Sequence, residues 1–150
     1  MDKEREATEV AAALERLFSL TRWLSPAGLS LTSAATLASL ERLGPCRLTT
    51  LAAREGVTQP AMTQLIARME QAGLVERTAD PDDGRVVRVQ ITDAGRDLLG
   101  GRRAARAERI AGLLAMLSPV DRDALIAALP AMNALAGARP DDPVADVPRQ

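Results

Sequence analysis

The run TQPAMTQLIARMEQAGLVER spans Thr58 to Arg77. Thr58 is a helix-capping residue, and Pro60 falls in the first turn, where its missing N–H and fixed φ cost little. Ala61, Leu65, Ile66 and Met69 then repeat at helical spacing, which predicts one buried face. The residues left facing out near the start are Gln59, Pro60, Thr63 and Gln64, with Arg68 a turn further on. That exterior offers amides, a hydroxyl and a cation in place of a lattice of ion pairs. Amides and guanidinium groups are the side chains that reach base edges and phosphates in a major groove. An ordinary amphipathic surface helix shares the same periodicity, so the segment alone leaves both readings open. Gly73 ends the helix, and Leu74-Val75 opens an extended segment.

The flanks separate the two readings. Leu48-Thr49-Thr50 opens a short helix, Leu51 to Arg54, with Glu55-Gly56 as its exit, and Val57-Thr58 follows at once. Two short helices joined by a few residues containing Gly form a helix-turn-helix. Beyond Gly73 the period changes. Leu74 to Thr78 is one strand candidate, and Arg85 to Ile91 is another, with Val87, Val89 and Ile91 alternating against Val86, Arg88 and Gln90. Ala79-Asp80-Pro81-Asp82-Asp83-Gly84 between them is dense in turn formers, so the pair reads as a β-hairpin, a wing.

Thr92 caps a helix expected from about Asp93 to Met116, carrying Leu98, Leu99, Ile110, Leu113, Leu114 and Leu117. Its Arg102, Arg103, Arg106 and Arg109 read as a solvated face, and Gly100-Gly101 should weaken or bend it. Ser118-Pro119-Val120-Asp121 supplies a cap, a first-turn proline and an acid for a last helix with Leu125, Ile126, Leu129, Met132 and Leu135, kinked at Pro130. Upstream, Val10, Leu14, Leu17 and Leu24 fall on a four-three alternation, the seam of a helix that packs along another, from the same chain or from a second subunit. Residues 1–6 are expected to fray. Ser25 to Gly28 breaks this helix, and Leu31-Thr32 leads into a second one, with Ala35, Leu37, Ala38, Leu40 and Leu43 apolar and Gly44-Pro45 at its end.

Composition narrows the function classes. The chain has 150 residues, 47% of them hydrophobic, yet aromatics make up only 1%, so alanine and leucine carry the burial and favour closely packed helices. The formal net charge is -1, so no overall basic field marks a nucleic-acid partner. Lys3 is the only lysine, however, and the other basic residues are arginines, which hold phosphate and guanine bidentately. There is no histidine, which removes the commonest general base and metal ligand; no catalytic residue, metal site or cofactor is expected. Cys46 is the sole cysteine, so no disulfide forms within the chain. The polar, acidic start is not a signal peptide and no run is apolar enough to span a bilayer, which leads us to expect a cytoplasmic protein without a membrane partner.

The order of these elements resembles the MarR family of bacterial transcription regulators. The residues that carry the likeness are Leu65 to Arg77 (LIARMEQAGLVER), Asp80 to Arg85 (DPDDGR) and Val89 to Gly95 (VQITDAG). Met69 stands where the family has leucine, and Gly84 where its wing usually has the first arginine of Asp-Arg-Arg. The resemblance implies a mainly α fold with a small β-hairpin wing: a winged helix-turn-helix with a helical dimerisation domain. On that pattern the single domain covers 1–138. Dimerisation helices occupy about 7–24 and 118–137, the winged helix-turn-helix about 31–92, and a long connecting helix about 93–117, with a disordered tail at 139–150. It further implies a homodimer on a pseudo-palindrome of double-stranded DNA. Thr63 and Gln64 would face bases, Gln59 and Pro60 the groove entrance, Arg68 phosphates, Arg85 the minor groove and Thr49 the backbone. Arg77 and Asp83 would support the wing.

A cleft is expected where the dimer helices meet each DNA-reading lobe, lined by the first, second and fifth helices. Phe18 and Trp23 would form its walls and Arg16 and Arg22 would hold an acidic group, so the expected effector is a small aromatic or apolar acid. The reading is thus a ligand-responsive repressor. Two alternatives stay open: a redox-responsive regulator switched through Cys46, with Arg42 and Arg47 activating the thiol, and a winged-helix module for protein contact without DNA.

Overall fold

A computed structural model describes residues 2–25 and 28–138, so the tail expected at 139–150 lies outside the described residues. Most helices start where a short polar side chain takes up a first-turn N–H. Asp2, Ser30, Thr58, Thr92 and Ser118 each accept such a bond, opening α1 (Lys3–Leu24), α2 (Leu31–Leu43), α4 (Gln59–Gln71), α5 (Asp93–Ala115) and α6 (Pro119–Gly137). The remaining helix, α3 (Leu48–Glu55), has Arg47 at its N-cap and no side-chain cap bond. Because Asp2 caps α1 and Arg5 pairs with Glu9 at 3.1 Å, residues 3–6 are helical where fraying was expected. α3 likewise begins three residues earlier than the expected Leu51, and α5 and α6 run unbroken through Gly100-Gly101 and Pro130.

The strands are β1 (Cys46–Arg47), β2 (Val75–Ala79) and β3 (Val87–Ile91), antiparallel in the order β1-β3-β2. Val75 pairs with Ile91 and Ala79 with Val87, so the two expected strands form the hairpin with slightly later starts. Val86 lies outside the ladder because its N–H and C=O close the turn, to Asp83 O and from the Asp80 N–H. β1 was not anticipated: it adds Cys46 and Arg47 opposite Val89 and Arg88.

The core belongs to the winged helix-turn-helix lobe. Leu37, Leu40, Leu51, Met62, Ile66, Val75 and Val89 are enclosed, joined by Met69, Ile91 and Leu99. α1, by contrast, buries only Leu24, and α6 buries nothing. Val10, Leu14, Leu17, Ile126, Leu129 and Leu135 stand open to solvent in the single chain.

The arginines of α5 form the solvated face that their run suggested only in part: Arg103 and Arg109 are exposed, Arg106 is half-buried and Arg102 is buried. Arg102 is buried and donates to the Leu29 carbonyl at 3.2 Å, and Arg109 donates to the Leu24 carbonyl at 3.2 Å. Arg103 pairs with Glu41 of α2 at 2.6 Å. Long side chains can bury their stems and still place the guanidinium on an oxygen. Burial, and next to it the charge of Arg106, pushes the Arg102 guanidinium below its ordinary value.

α5 enters against the end of α4. Thr92 donates its hydroxyl to the Gly73 carbonyl at 2.6 Å and its N–H to Leu74 O at 3.1 Å. A Cβ on Gly95 would run into the Leu74 carbonyl oxygen and lie 2.8 Å from Ile91 Cγ1, whereas at Gly100 it would meet nothing. Gly95→Ala should therefore destabilise the protein by about 1–3 kcal/mol, because a backbone oxygen cannot step aside. Gly100→Ala should stabilise it by about 0.5–1 kcal/mol through helix propensity. Chemical denaturation of both variants checks the pair; equal effects would contradict the packing described.

Candidate nucleic-acid interface

α3 ends at Gly56, whose φ of 64° lets the Val57 N–H turn back to Ala52 O at 3.0 Å. Two residues later Thr58 starts α4, accepting from the Ala61 N–H at 3.4 Å. α4 is seated by Met62, Leu65, Ile66 and Met69, all buried. The expected stripe named Ala61 in place of Met62, and Ala61 is in fact exposed. Both are apolar, and the bulkier one lines up with Ile66 and Met69 at spacings of four and seven, so it takes the core.

The opposite side presents Gln59, Pro60, Thr63, Gln64 and Arg68, all exposed. The Thr63 hydroxyl donates to Gln59 O at 2.9 Å, which leaves its lone pairs and methyl group facing out. Thr49 is exposed in the first turn of α3, and Arg85 is exposed in the wing loop. Asp83 shapes that loop: its carboxylate accepts from the Arg85 N–H at 3.1 Å, and its carbonyl from the Val86 N–H at 2.9 Å. Arg77 pairs with Glu70 at 3.6 Å and so ties β2 to α4, not to the loop itself.

The base of the wing rests on a group that the sequence reading passed over, Asp80. It is buried, with its carboxylate accepting from the Asp82 N–H at 2.9 Å and from Arg88 Nε at 2.7 Å, while Arg47 approaches to 3.6 Å. The Asp82 N–H, then the hydrogen bond and charge of Arg88, hold this carboxyl below its ordinary value against the opposing cost of burial. Its signal was present in DPDDGR, but as one of three aspartates in a turn.

The expected effector residues are not brought together. Phe18 lines a cleft of about 730 Å³ between α1 and α6, with Leu14, Leu17, Thr21, Met132 and Leu135. Arg16, Arg22 and Trp23 do not line it, and Trp23 is 66% exposed. Five residues turn a helix by about 140° beyond a full circle, so Phe18 and Trp23 face different ways. A second cleft, of about 480 Å³, backs directly onto α4 and is lined by Leu29, Ser33, Leu65, Arg68, Met69 and Leu98. This cleft is lined by the α1–α2 connection, α2, α4 and α5, and α1 itself, expected in the effector cleft, does not reach it. Cys46 is buried and donates to Gly44 O at 3.3 Å. Burial pushes its thiol up, opposed by the charge of Arg88, the reverse of the shift that a redox-sensing thiolate calls for.

A polar helix face held by a buried one, beside an arginine-tipped hairpin, defines a winged helix-turn-helix of the DNA-reading kind. Residues 29–87 match the MarR family model. The HTH-type transcriptional regulator MT0903.1 of Mycobacterium tuberculosis is 36% identical over 137 residues, covering 91% of this chain and 96% of its own length. The HTH-type transcriptional repressor MdtR of Bacillus subtilis is 35% identical over 81 residues, about half of each chain (51% and 52%). Among solved structures, that of RV1404 from Mycobacterium tuberculosis superposes with a TM-score of 0.77 at 26% identity, over 94% of this chain and 98% of the other. The chain belongs to the MarR family of transcription regulators and is not an enzyme. No helix among the described residues is long and apolar enough to cross a membrane.

Asp80 gives the wing a defined pH dependence. A carboxyl held below its ordinary 3.8 in the fold contributes stability that is complete above that value and is lost as pH falls through the lowered one. Asp80→Asn should lower the thermal midpoint at pH 7 and at pH 5, and the gap from wild type should close as pH drops below about 3.8. Melting curves across that range decide it; a gap that stays constant to pH 2 would contradict the role given to Asp80.

Proposed function

We propose that the protein is a homodimeric, sequence-specific regulator of transcription that acts in the cytoplasm on double-stranded DNA as a repressor. The observation that carries this reading is the two-sidedness of α4: Met62 and Ile66 are wholly buried, while Gln59, Thr63 and Gln64 stand clear. Dimerisation is supported by the uncovered apolar residues of α1 and α6, more than a monomer usually leaves in water. The repressor role is carried over from MdtR of Bacillus subtilis, the transcriptional repressor similar to about half of this chain. Within this reading Thr63 and Gln64 read bases, Gln59 and Pro60 lie at the groove entrance, Arg68 and Thr49 meet phosphates, and Arg85 enters the minor groove.

Footprinting on the DNA upstream of its own gene should show two protected half-sites about 10 base pairs apart, as a dimer requires. Arg85→Ala should weaken binding to all sequences and lower the salt slope by about one charge per protomer. Gln64→Ala should instead change the preferred base, at about 1–3 kcal/mol per lost contact. Equal losses on every sequence for both variants would remove the division of labour.

We also propose that a small aromatic or apolar acid relieves binding from the cleft behind α4, where Arg68 would meet its carboxylate. Its volume suits a small molecule. A ligand that favours the DNA-incompetent position of α4 by about 1.4 kcal/mol would cut affinity tenfold. Benzoate-type acids should release DNA from the wild type, and Leu98→Trp, which fills the cleft from α5, should bind DNA yet resist release. Release by peroxide that disappears in Cys46→Ser, with no effect of the acids, would assign the switch to the thiol.

A further inference from the structure

Arg47 breaks two local preferences at once. It occupies the N-cap of α3, a position suited to Ser, Thr, Asp or Asn, and makes no side-chain bond to the helix. A cation there also meets the positive end of the helix dipole. In the β1–β3 ladder it stands directly opposite Arg88, a like-charge pair that disfavours the pairing. Chains break local rules in this way mainly at functional positions, and offset the cost elsewhere.

The offset here is Asp80, and it is incomplete. Arg88 holds the carboxylate at 2.7 Å and Arg47 only at 3.6 Å, to the same oxygen, Oδ2. The Asp82 N–H satisfies the other oxygen. One carboxylate between two guanidinium groups leaves one positive charge over. Arg47 carries it, because its side chain is 55% exposed against 30% for Arg88. Thr49 is exposed two residues further on, so this surplus charge lies beside a position already expected to meet the DNA backbone.

We propose that Arg47 is a further DNA contact, a phosphate-binding arginine at the base of the wing that Asp80 orients until DNA takes it over. The inference rests on the reading of this protein as a DNA-binding regulator. The exchange costs the fold little. Arg47 trades a long ion pair for a phosphate that its planar guanidinium can hold with two bonds, while Arg88 stays on Asp80 and keeps the wing anchored. Being a backbone contact, it adds affinity without sequence preference.

The test uses the full chain, its upstream DNA and an unrelated duplex, over a salt series. Arg47→Ala should weaken binding about three- to tenfold on both duplexes and reduce the slope of log K against log salt by about one per protomer. Arg47→Lys should keep the slope, and Arg47→Ala should not lower the melting point, as it would if the residue only held the fold. Should the alanine variant be insoluble, Arg47→Gln gives the same readings. Binding within twofold of wild type at unchanged slope overturns the inference. If Arg85→Ala impairs binding while Arg47→Ala does not, the inference alone fails. If the wild type binds neither duplex at any salt, the DNA-binding reading fails with it.

Discussion

Met62, Leu65, Ile66 and Met69 press one side of α4 into the core, and the other side inherits its position from that contact. Each such side chain stabilises the fold by about 1.5–3 kcal/mol on burial, an upper figure since the unfolded chain hides some of it already. That is enough to fix a helix of 13 residues, too short to hold its shape alone. Rotation of the helix by one residue would bury Thr63 and expose Met62, so burial and presentation are one constraint seen from two sides. The short turn after Gly56 and the bonds from Thr92 to Gly73 and Leu74 fix the two ends of the same helix.

Local signals were legible in the sequence where a single residue decides them. Thr58, Thr92 and Ser118 marked helix starts because a cap acts within its own turn. Gly73, at a φ of 72°, marked the end of α4 for the same reason. The hairpin was legible from its period of two and its turn formers. Features that depend on distant partners were not. β1 is two residues long and exists only because β3 offers it an edge. Nothing local separates Asp80 from Asp82 and Asp83, yet only Asp80 is buried. Arg102 looked like surface, and the partners of Arg103 and Arg109 went unseen, because all three partners lie more than sixty residues away. The outward residues of α4 were legible; that Phe18 and Trp23 do not share one surface was not, since the two diverge around α1.

The two parts of the molecule are built on different terms. The lobe around α4 closes its own core without a buried aromatic residue, by packing leucines, methionines and valines. α1 and α6 keep their apolar residues for a surface that a single chain does not cover. A long helix, α5, belongs to both, buried at Gly95 and Leu99 near its start and progressively open towards its end. Any movement between the parts must therefore be carried by α5 and by what α5 holds.

Besides Glu41, which Arg103 pairs with, it holds main chain. Arg102 and Arg109 close on the carbonyl oxygens of Leu29 and Leu24, atoms that every amino acid possesses. A grip of that kind fixes where the main chain passes at Leu24 and at Leu29 and ignores the side chains there. Leu24 and Leu29 could thus be exchanged for other residues without removing either acceptor, while the two arginines could not be lost without losing the donors.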